Sequence, residues 1–392
     1  MARQVERRRL GVREAGGWRG AIALVAAIAI GCGGSRPVRR DAIPDDDRLG
    51  RALAAVRAAG DFPGAVAAIA TDGSVTTAAV GWSDREANVP MRPGDRMPAG
   101  DVGKTFTAAA VLSLAAAGLV HLDAPIARWL GDEPWFARLP NAPDLTLRHL
   151  LMHRGGIPNH ATVLEFVRTV QARTTAAEPG PDPAPRALVE LVLDEPPLFP
   201  AGAGFAYSDT GYVLAGLVVE RVTGRHYADV LAGRVLLPLA LDATAPAAGR
   251  MHRGLVPGYA DDTGPLGLEA KTAAGGVMAF DPGWEWAGGG LVSNARDLAR
   301  FVKALFDGRA LPPGAIDDLL ASKLPGDVRY GLGLTFYGEG TDRAYGHSGW
   351  FPGYRTEVRY YPARRAAIAL QVNGDAPLDA DAAFAMLLEA VP

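Results

Sequence analysis

Three short segments, far apart in the chain, carry side chains that could do chemistry: Asp101-Val102-Gly103-Lys104, Tyr207-Ser208-Asp209 and His347-Ser348-Gly349. The first can be read on its own. Positions three apart on a helix share a face, so Asp101 and Lys104 would stand side by side at a helix start, where the lysine can act on its neighbour. Asp101 also has a structural use there. Aspartate is among the best N-cap residues, its charge suits the positive end of a helix, and it stabilises that end by ~1 kcal/mol over alanine.

Two competing chemistries fail on their own criteria. Gly103-Lys104-Thr105 has the ending of a phosphate-binding loop, yet Pro98 fills the earlier glycine position, and Met91-Arg92-Pro93-Gly94-Asp95-Arg96-Met97 is no apolar strand. His149 and His153 lie four apart in a helical pattern, which is metal-ligand spacing, but no carboxylate or cysteine set accompanies them. Neither a metal nor a cofactor is expected. With 40 basic against 43 acidic residues and a net charge of −3, no global field favours nucleic acid as a partner.

The elements that must position these segments follow from apolar patterning. Ala65–Ala70 and Val75–Gly81 are short apolar runs around the turn signal Thr71-Asp72-Gly73-Ser74, which predicts a hairpin at a sheet edge. A helix should begin near Asp101 and run through Ala108, Val111, Leu112 and Leu114 to about Gly118. It is almost entirely apolar, and therefore central. Helical patterns at Leu147–His153, Ala187–Leu193 and Gly211–Thr223, with Pro and Gly between them, make the stretch from Leu119 to about Ala260 mostly helical. Strand character returns at Gly331–Phe336, Thr356–Tyr361 and Ala366–Val372, and a helix at Asp379–Glu389 closes the chain. The sheet thus draws strands from both ends of the chain. The order predicts an α/β (α+β) protein, an antiparallel sheet flanked by helices with a mostly helical subdomain inserted and the ligand cleft between the two parts. The sheet part is expected at about residues 49–100 and 265–392, and the helical part at about 101–264.

The N-terminal residues belong to a different regime. Arg3, Arg7, Arg8, Arg9, Arg13 and Arg19 precede an apolar run from Ala21 to Ile30, the pattern of a secretory signal. Ten such residues reach only about 15 Å as a helix, too short to span a bilayer. The run ends in Ala29-Ile30-Gly31-Cys32, which resembles a bacterial lipoprotein processing site, and Cys32 is the single cysteine. The expectation is a signal over residues 1–32, lipidation at Cys32, a tether over 33–48, and a membrane-anchored protein of the cell envelope or periplasm. A cleaved signal with an incidental cysteine is the alternative.

In this order and at these separations, the three segments resemble the nucleophile, tyrosine and strand motifs of the serine β-lactamase, penicillin-binding-protein and related esterase family, which includes class C β-lactamases and D,D-peptidases. Leu145–His153, Phe205–Val213 and Gly288-Gly289-Gly290-Leu291-Val292-Ser293 support the resemblance, which runs from about Asp61 to Asn373. It implies a β-lactamase/transpeptidase-like fold. It also assigns Lys104 and Tyr207 to proton transfer, Asp209 to orienting them and a substrate amide, and His347 to the strand wall. Ser348, Gly349 and Trp350 fall to substrate binding, with the Trp350 N–H and the helix-start amides holding an oxyanion. The implied ligand is a small molecule or peptide: a cell-wall peptide, a β-lactam or an ester. Trp284, Trp286, Trp350 and Phe351 are expected to wall the cleft.

One departure decides what can be claimed. The resemblance puts an attacking serine where Asp101 stands, and no serine lies between Asp84 and Ser113. A carboxylate attacking an acyl group forms an anhydride more reactive than its precursor, so attack tends to reverse. A negative charge beside Lys104 also holds the ammonium and takes it away from general-base work. Two readings follow. One is a binding protein with lost or strongly impaired acyl-enzyme hydrolysis; the other is a hydrolase in which Asp101, Lys104 and Tyr207 activate water directly.

Overall fold

The computed structural model describes residues 47–175, 184–260, 271–279, 281–311, 314–320 and 329–392. The chain divides into Met1–Ala42 and Ile43–Pro392. The expected signal, Cys32 and nearly all of the tether lie outside the described residues. Among the described residues no helix is long and apolar enough to cross a membrane.

Seven strands form one sheet: β1 (Gly64–Thr71), β2 (Ser74–Asp84), β3 (Val89–Pro90), β4 (Thr335–Tyr337), β5 (Ala344–Phe351), β6 (Tyr354–Tyr361) and β7 (Ala366–Val372). Their order is β3-β2-β1-β7-β6-β5-β4, with every neighbouring pair antiparallel. Side chains alternate between the faces of a strand, and β1 uses both. Val66, Ala68 and Ala70 enter one core while Ala65, Ala67 and Ile69 enter another. In β7, Ala367 and Ala369 oppose Ala366, Ile368, Leu370 and Val372 in the same way. Both faces are covered, so these strands read as continuous apolar runs.

Two expectations are corrected here. The hairpin of β1 and β2 forms at the expected turn, with Gly73 at φ +89°, but β1 is interior: its other side pairs with β7, Ala65 opposite Val372. Of Gly331–Phe336 only the end is strand. Gly333, at φ +71°, turns the chain beneath the central helix, where its carbonyl accepts from Thr105 Oγ1 at 2.7 Å.

Six helices matter for the site: α1 (Arg48–Ala59), α2 (Gly103–Ala116), α3 (Leu147–Leu151), α4 (Asp209–Thr223), α5 (Ala295–Phe306) and α6 (Ala380–Leu388). α1 and α6 cover one sheet face, Leu53, Val56, Phe384 and Leu387 meeting Ile69, Ile368 and Leu370. α5 covers the other face. Its start is fixed by Asn294, whose side chain accepts from the Asp297 N–H, and its buried stripe is Leu298, Phe301, Val302 and Leu305. Phe301 stacks on Phe106 of α2 with centroids 3.6 Å apart, so the sheet layer and the central helix share one core. α2 is apolar nearly all round and is buried accordingly. Between α2 and the strand Leu291–Ser293, described regular structure is mainly helical, broken by two-residue strands at Ala245–Pro246, Ala273–Ala274 and Val277–Met278.

Candidate active site

The chain enters α2 through a 3₁₀ turn, Gly100–Val102, and β5 lies directly against that turn. Two glycines permit the approach. A Cβ on Gly349 would stand 2.2 Å from the Ala99 carbonyl oxygen, and one on Gly100, at φ +52°, would stand 2.6 Å from the Trp350 oxygen. Asp101 is not the expected N-cap. It lies inside the 3₁₀ turn, whereas a cap needs a non-helical backbone just before the helix, and neither Ala99 nor Val102 supplies a capping side chain. Its carboxylate turns to Lys104 instead.

Lys104, fully buried, is the hub. Its Nζ lies 2.5 Å from Asp101 Oδ1, 2.5 Å from Asp209 Oδ1 and 2.6 Å from the Gly288 carbonyl oxygen. An ammonium has three protons, and all three are committed. Burial by itself lowers the pKa of this amine, but the two carboxylates outweigh it and hold Lys104 above the ordinary lysine range. Asp209, the first residue of α4, is held below the usual carboxylate range because Lys104 outweighs its own burial; its Oδ2 also accepts from Asn159 Nδ2 at 3.0 Å. Tyr207 presents its ring to Lys104, whose Nζ is 5.0 Å from the ring centroid. Desolvation of the phenol, then the charges of Asp101 and Asp209, push its pKa well above 10. Both shifts favour the protonated forms, the ammonium and the phenol.

Three buried histidines surround this hub, and burial keeps each of them neutral. His347 of β5 approaches Tyr330 Oη through Nε2 at 2.8 Å and the Ser348 carbonyl through Nδ1 at 2.6 Å. The carbonyl can only accept, so Nδ1 carries the proton and Nε2 receives the tyrosine's. Its pKa is lowered to about 4, as is that of His160. His153 falls well below the ordinary value. It lies beyond the end of α3 at φ +55°, so it shares no helical face with His149. Its Nδ1 accepts from the Ser208 N–H at 3.1 Å and its ring lies 4.1 Å from that of Tyr207, which fixes the tyrosine loop from below.

Asp101, Tyr207, Asp209 and Trp350 open onto one cavity of about 170 Å³, together with His160, Ala161, Phe166, Val167, Trp284, Glu285 and Gly288. Ser348 is exposed and does not line it; nor do His347 and Gly349, which act from behind the wall. Of the four expected aromatic walls, Trp284 and Trp350 are in place. Trp286 turns away to Tyr227, with centroids 5.2 Å apart, and Phe351 is buried in the core at 1% exposure. His160 and Glu285 come from the short 3₁₀ turns His160–Thr162 and Pro282–Glu285, and Phe166 from the helix Leu164–Thr175, none of which carried a motif. The one local sign was a carboxylate between two tryptophans, Trp284-Glu285-Trp286. Burial, then repulsion by Asp101, raises the Glu285 pKa well above 4.5. Among the described residues, the cavity lining includes no serine, threonine or cysteine.

Comparison with known proteins agrees with this architecture. Residues 49–391 match the beta-lactamase family. The chain is 32% identical to esterase EstB of Burkholderia gladioli over 324 residues, 76% of each chain. It is 26% identical to a D-aminopeptidase of Cereibacter sphaeroides over 358 residues, spanning 88% of this chain but 63% of that one. A solved D-stereospecific amidohydrolase from Streptomyces sp. shares its fold with a TM-score of 0.73 at 29% identity, covering 89% of this chain and 98% of the other. With a family match over nearly all of the described chain and a layered antiparallel sheet to go with it, the chain belongs to the beta-lactamase family of hydrolases, whose members similar to it include esterases, penicillin-binding proteins and D-aminopeptidases.

Proposed function

We propose that this member of the family binds a family-type ligand, a cell-wall peptide, a β-lactam or an ester, with acyl-enzyme hydrolysis lost or strongly impaired. One observation carries the reading: Lys104 Nζ is saturated by Asp101, Asp209 and the Gly288 carbonyl, and stays an ammonium. The position that the resemblance gives to a serine holds a carboxylate whose acyl product would be a reactive anhydride. The lysine that should draw off a proton has no lone pair to do so. The cleft has the Trp284 and Trp350 walls, the glycine-lined approach of β5 and an oriented tyrosine, which supports recognition without the chemistry. The test is turnover of ester and β-lactam panels by purified wild type and Asp101→Ala. Neither protein should exceed the uncatalysed rate appreciably. Wild-type turnover that vanishes in Asp101→Ala overturns the proposal and makes Asp101 an activator of water.

We also propose export with lipid anchoring at Cys32, supported by the arginine-rich stretch followed by the apolar run Ala21–Ile30. Cys32→Ser should release the protein from membranes; unchanged fractionation counts against the anchor.

A further inference from the structure

The charges of the cleft point to a ligand class narrower than the family's. Among the described residues, three carboxyl groups, Asp101, Asp209 and Glu285, line the cavity, and no lysine or arginine does. Lys104 lies behind two of those carboxyls with every proton committed, so it has none to offer a ligand. The histidines nearest the site, His160 and His347, are neutral. A ligand carboxylate entering here would meet the carboxylates of Asp101 and Asp209, whose combined charge Lys104 only half offsets, and no uncommitted cation among the described residues. An ammonium would find the reverse.

Glu285 is the group left to receive it. Asp101 and Asp209 are already paired with Lys104, whereas Glu285 makes no hydrogen bond or ion pair among the described residues. Its Oε2 rests over the bare Cα of Gly289, where an added Cβ would stand 2.7 Å away. On either side of it the cavity is aromatic: Trp284 and Phe166 stack with centroids 4.9 Å apart, and Trp350 lines the same space. A carboxyl among aromatic faces suits an ammonium next to an apolar side chain, because ring faces also attract cations. A cavity of about 170 Å³ admits a group of single-residue size.

We propose that the cleft selects ligands carrying a free ammonium beside an aromatic or apolar side chain, with Glu285 as the ammonium's partner, and rejects ligands that present a carboxylate. This rests on the reading of the cleft as a ligand site but not on whether turnover survives. Among ligands of the family type it favours amino esters, amino amides and peptides recognised at their amino end. Penicillins and peptides recognised at a free carboxyl end are disfavoured.

The test is calorimetric titration of the purified full chain with four probes: phenylalanine amide in each enantiomer, N-acetyl-phenylalanine amide and N-acetyl-phenylalanine. At least one cationic amide should bind about tenfold or more tightly than the neutral one, and the anion should be weakest. Burial keeps Glu285 a neutral acid, and an arriving ammonium favours its carboxylate form; Glu285→Gln keeps the shape and removes the group that can ionise. It should bring the amine's affinity down to that of the neutral probe and leave the neutral probe's affinity unchanged, while Glu285→Asp should retain part of the preference. An anion that binds as well as the amine, a preference that survives in folded Glu285→Gln, or no amine binding at millimolar concentration overturns the proposal. Hydrolysis of the amides during the titration would defeat the impaired-turnover reading and leave the charge preference standing, so the two failures are distinguishable.

Discussion

Asp101 Oδ1 and Lys104 Nζ stand 2.5 Å apart across one helical turn, and in the proposed reading this one contact accounts for both the missing hydroxyl and the occupied base. A serine at position 101 would leave the lysine one carboxylate partner, Asp209, and one proton directed at a hydroxyl. The aspartate closes that opening with an ion pair. In that reading the one side chain at position 101 sets both partners of the expected reaction.

Asp101→Ser should reverse this. With a hydroxyl three residues before Lys104, an uncharged activated-ester or fluorophosphonate probe should add one label per chain, seen by intact mass, while the wild type stays unlabelled. Lys104→Met in that background should abolish the label. A folded Asp101→Ser that never labels would show that the turn at Gly100–Val102 does not aim the residue at the cleft.

Lys104→Met alone should be costly to the fold. It leaves Asp101 and Asp209 facing each other with no cation between them, and breaking a buried pair in this way costs about 3–5 kcal/mol. Adding Asp101→Asn and Asp209→Asn should recover much of that, because the uncompensated charge is then gone. Urea unfolding of the single and triple variants separates the two effects. Equal stability of the single variant and wild type would mean that the carboxylates reach water unaided.

How far the sequence reveals all this differs from residue to residue. The i,i+3 relation of Asp101 and Lys104 is local and legible, and so is the turn between β1 and β2. The interior place of β1 is not, since it depends on Ala65 meeting Val372. An aspartate before a helix looks the same whether it caps or sits in a 3₁₀ turn; the choice is made by Lys104, which draws the carboxylate away from the backbone amides. The convergence of Tyr207, Asp209 and His347 on one cleft is legible only through the motif resemblance. Glu285 and His160 come from 3₁₀ turns too short to show a period, and Phe166 from a helix whose sequence carries no motif, so only the folded chain places them in the cavity.

Acid should destabilise the protein through its neutral histidines. His160 and His347 have folded pKa values of about 4 against an unfolded value near 6.5. A depressed pKa contributes stability that is complete above 6.5 and is lost as pH falls toward 4, since only the unfolded chain takes up the proton. His347→Asn should therefore be less stable at pH 7 yet show a flatter pH dependence between 6.5 and 4. The difference in slope should approach about 1.4 kcal/mol per pH unit at most. Buried carboxyls with raised pKa values oppose the trend equally in both proteins, so the difference isolates the imidazole. Parallel profiles in urea unfolding would mean that His347 is charged in the folded state.

Gly349→Ala tests whether the approach of β5 to the turn at Asp101 shapes the cleft. The added Cβ would lie 2.2 Å from the Ala99 carbonyl oxygen and 3.1 Å from the Asp101 amide nitrogen, both backbone atoms that no rotamer change can move aside. The strand or the turn must shift, and overpacking of this kind costs about 1–3 kcal/mol. Gly94→Ala is the control, with nothing within 4 Å of its added Cβ. A displaced β5 carries the Trp350 wall with it, so Gly349→Ala should weaken ligand binding as well as stability. In the Asp101→Ser background it should also slow labelling, because the shift would move the Trp350 N–H and the helix-start amides, to which the resemblance assigns the oxyanion, relative to each other. Stability and labelling rate both equal to those of Gly94→Ala would show that the strand has slack at this contact and that the cleft does not depend on it.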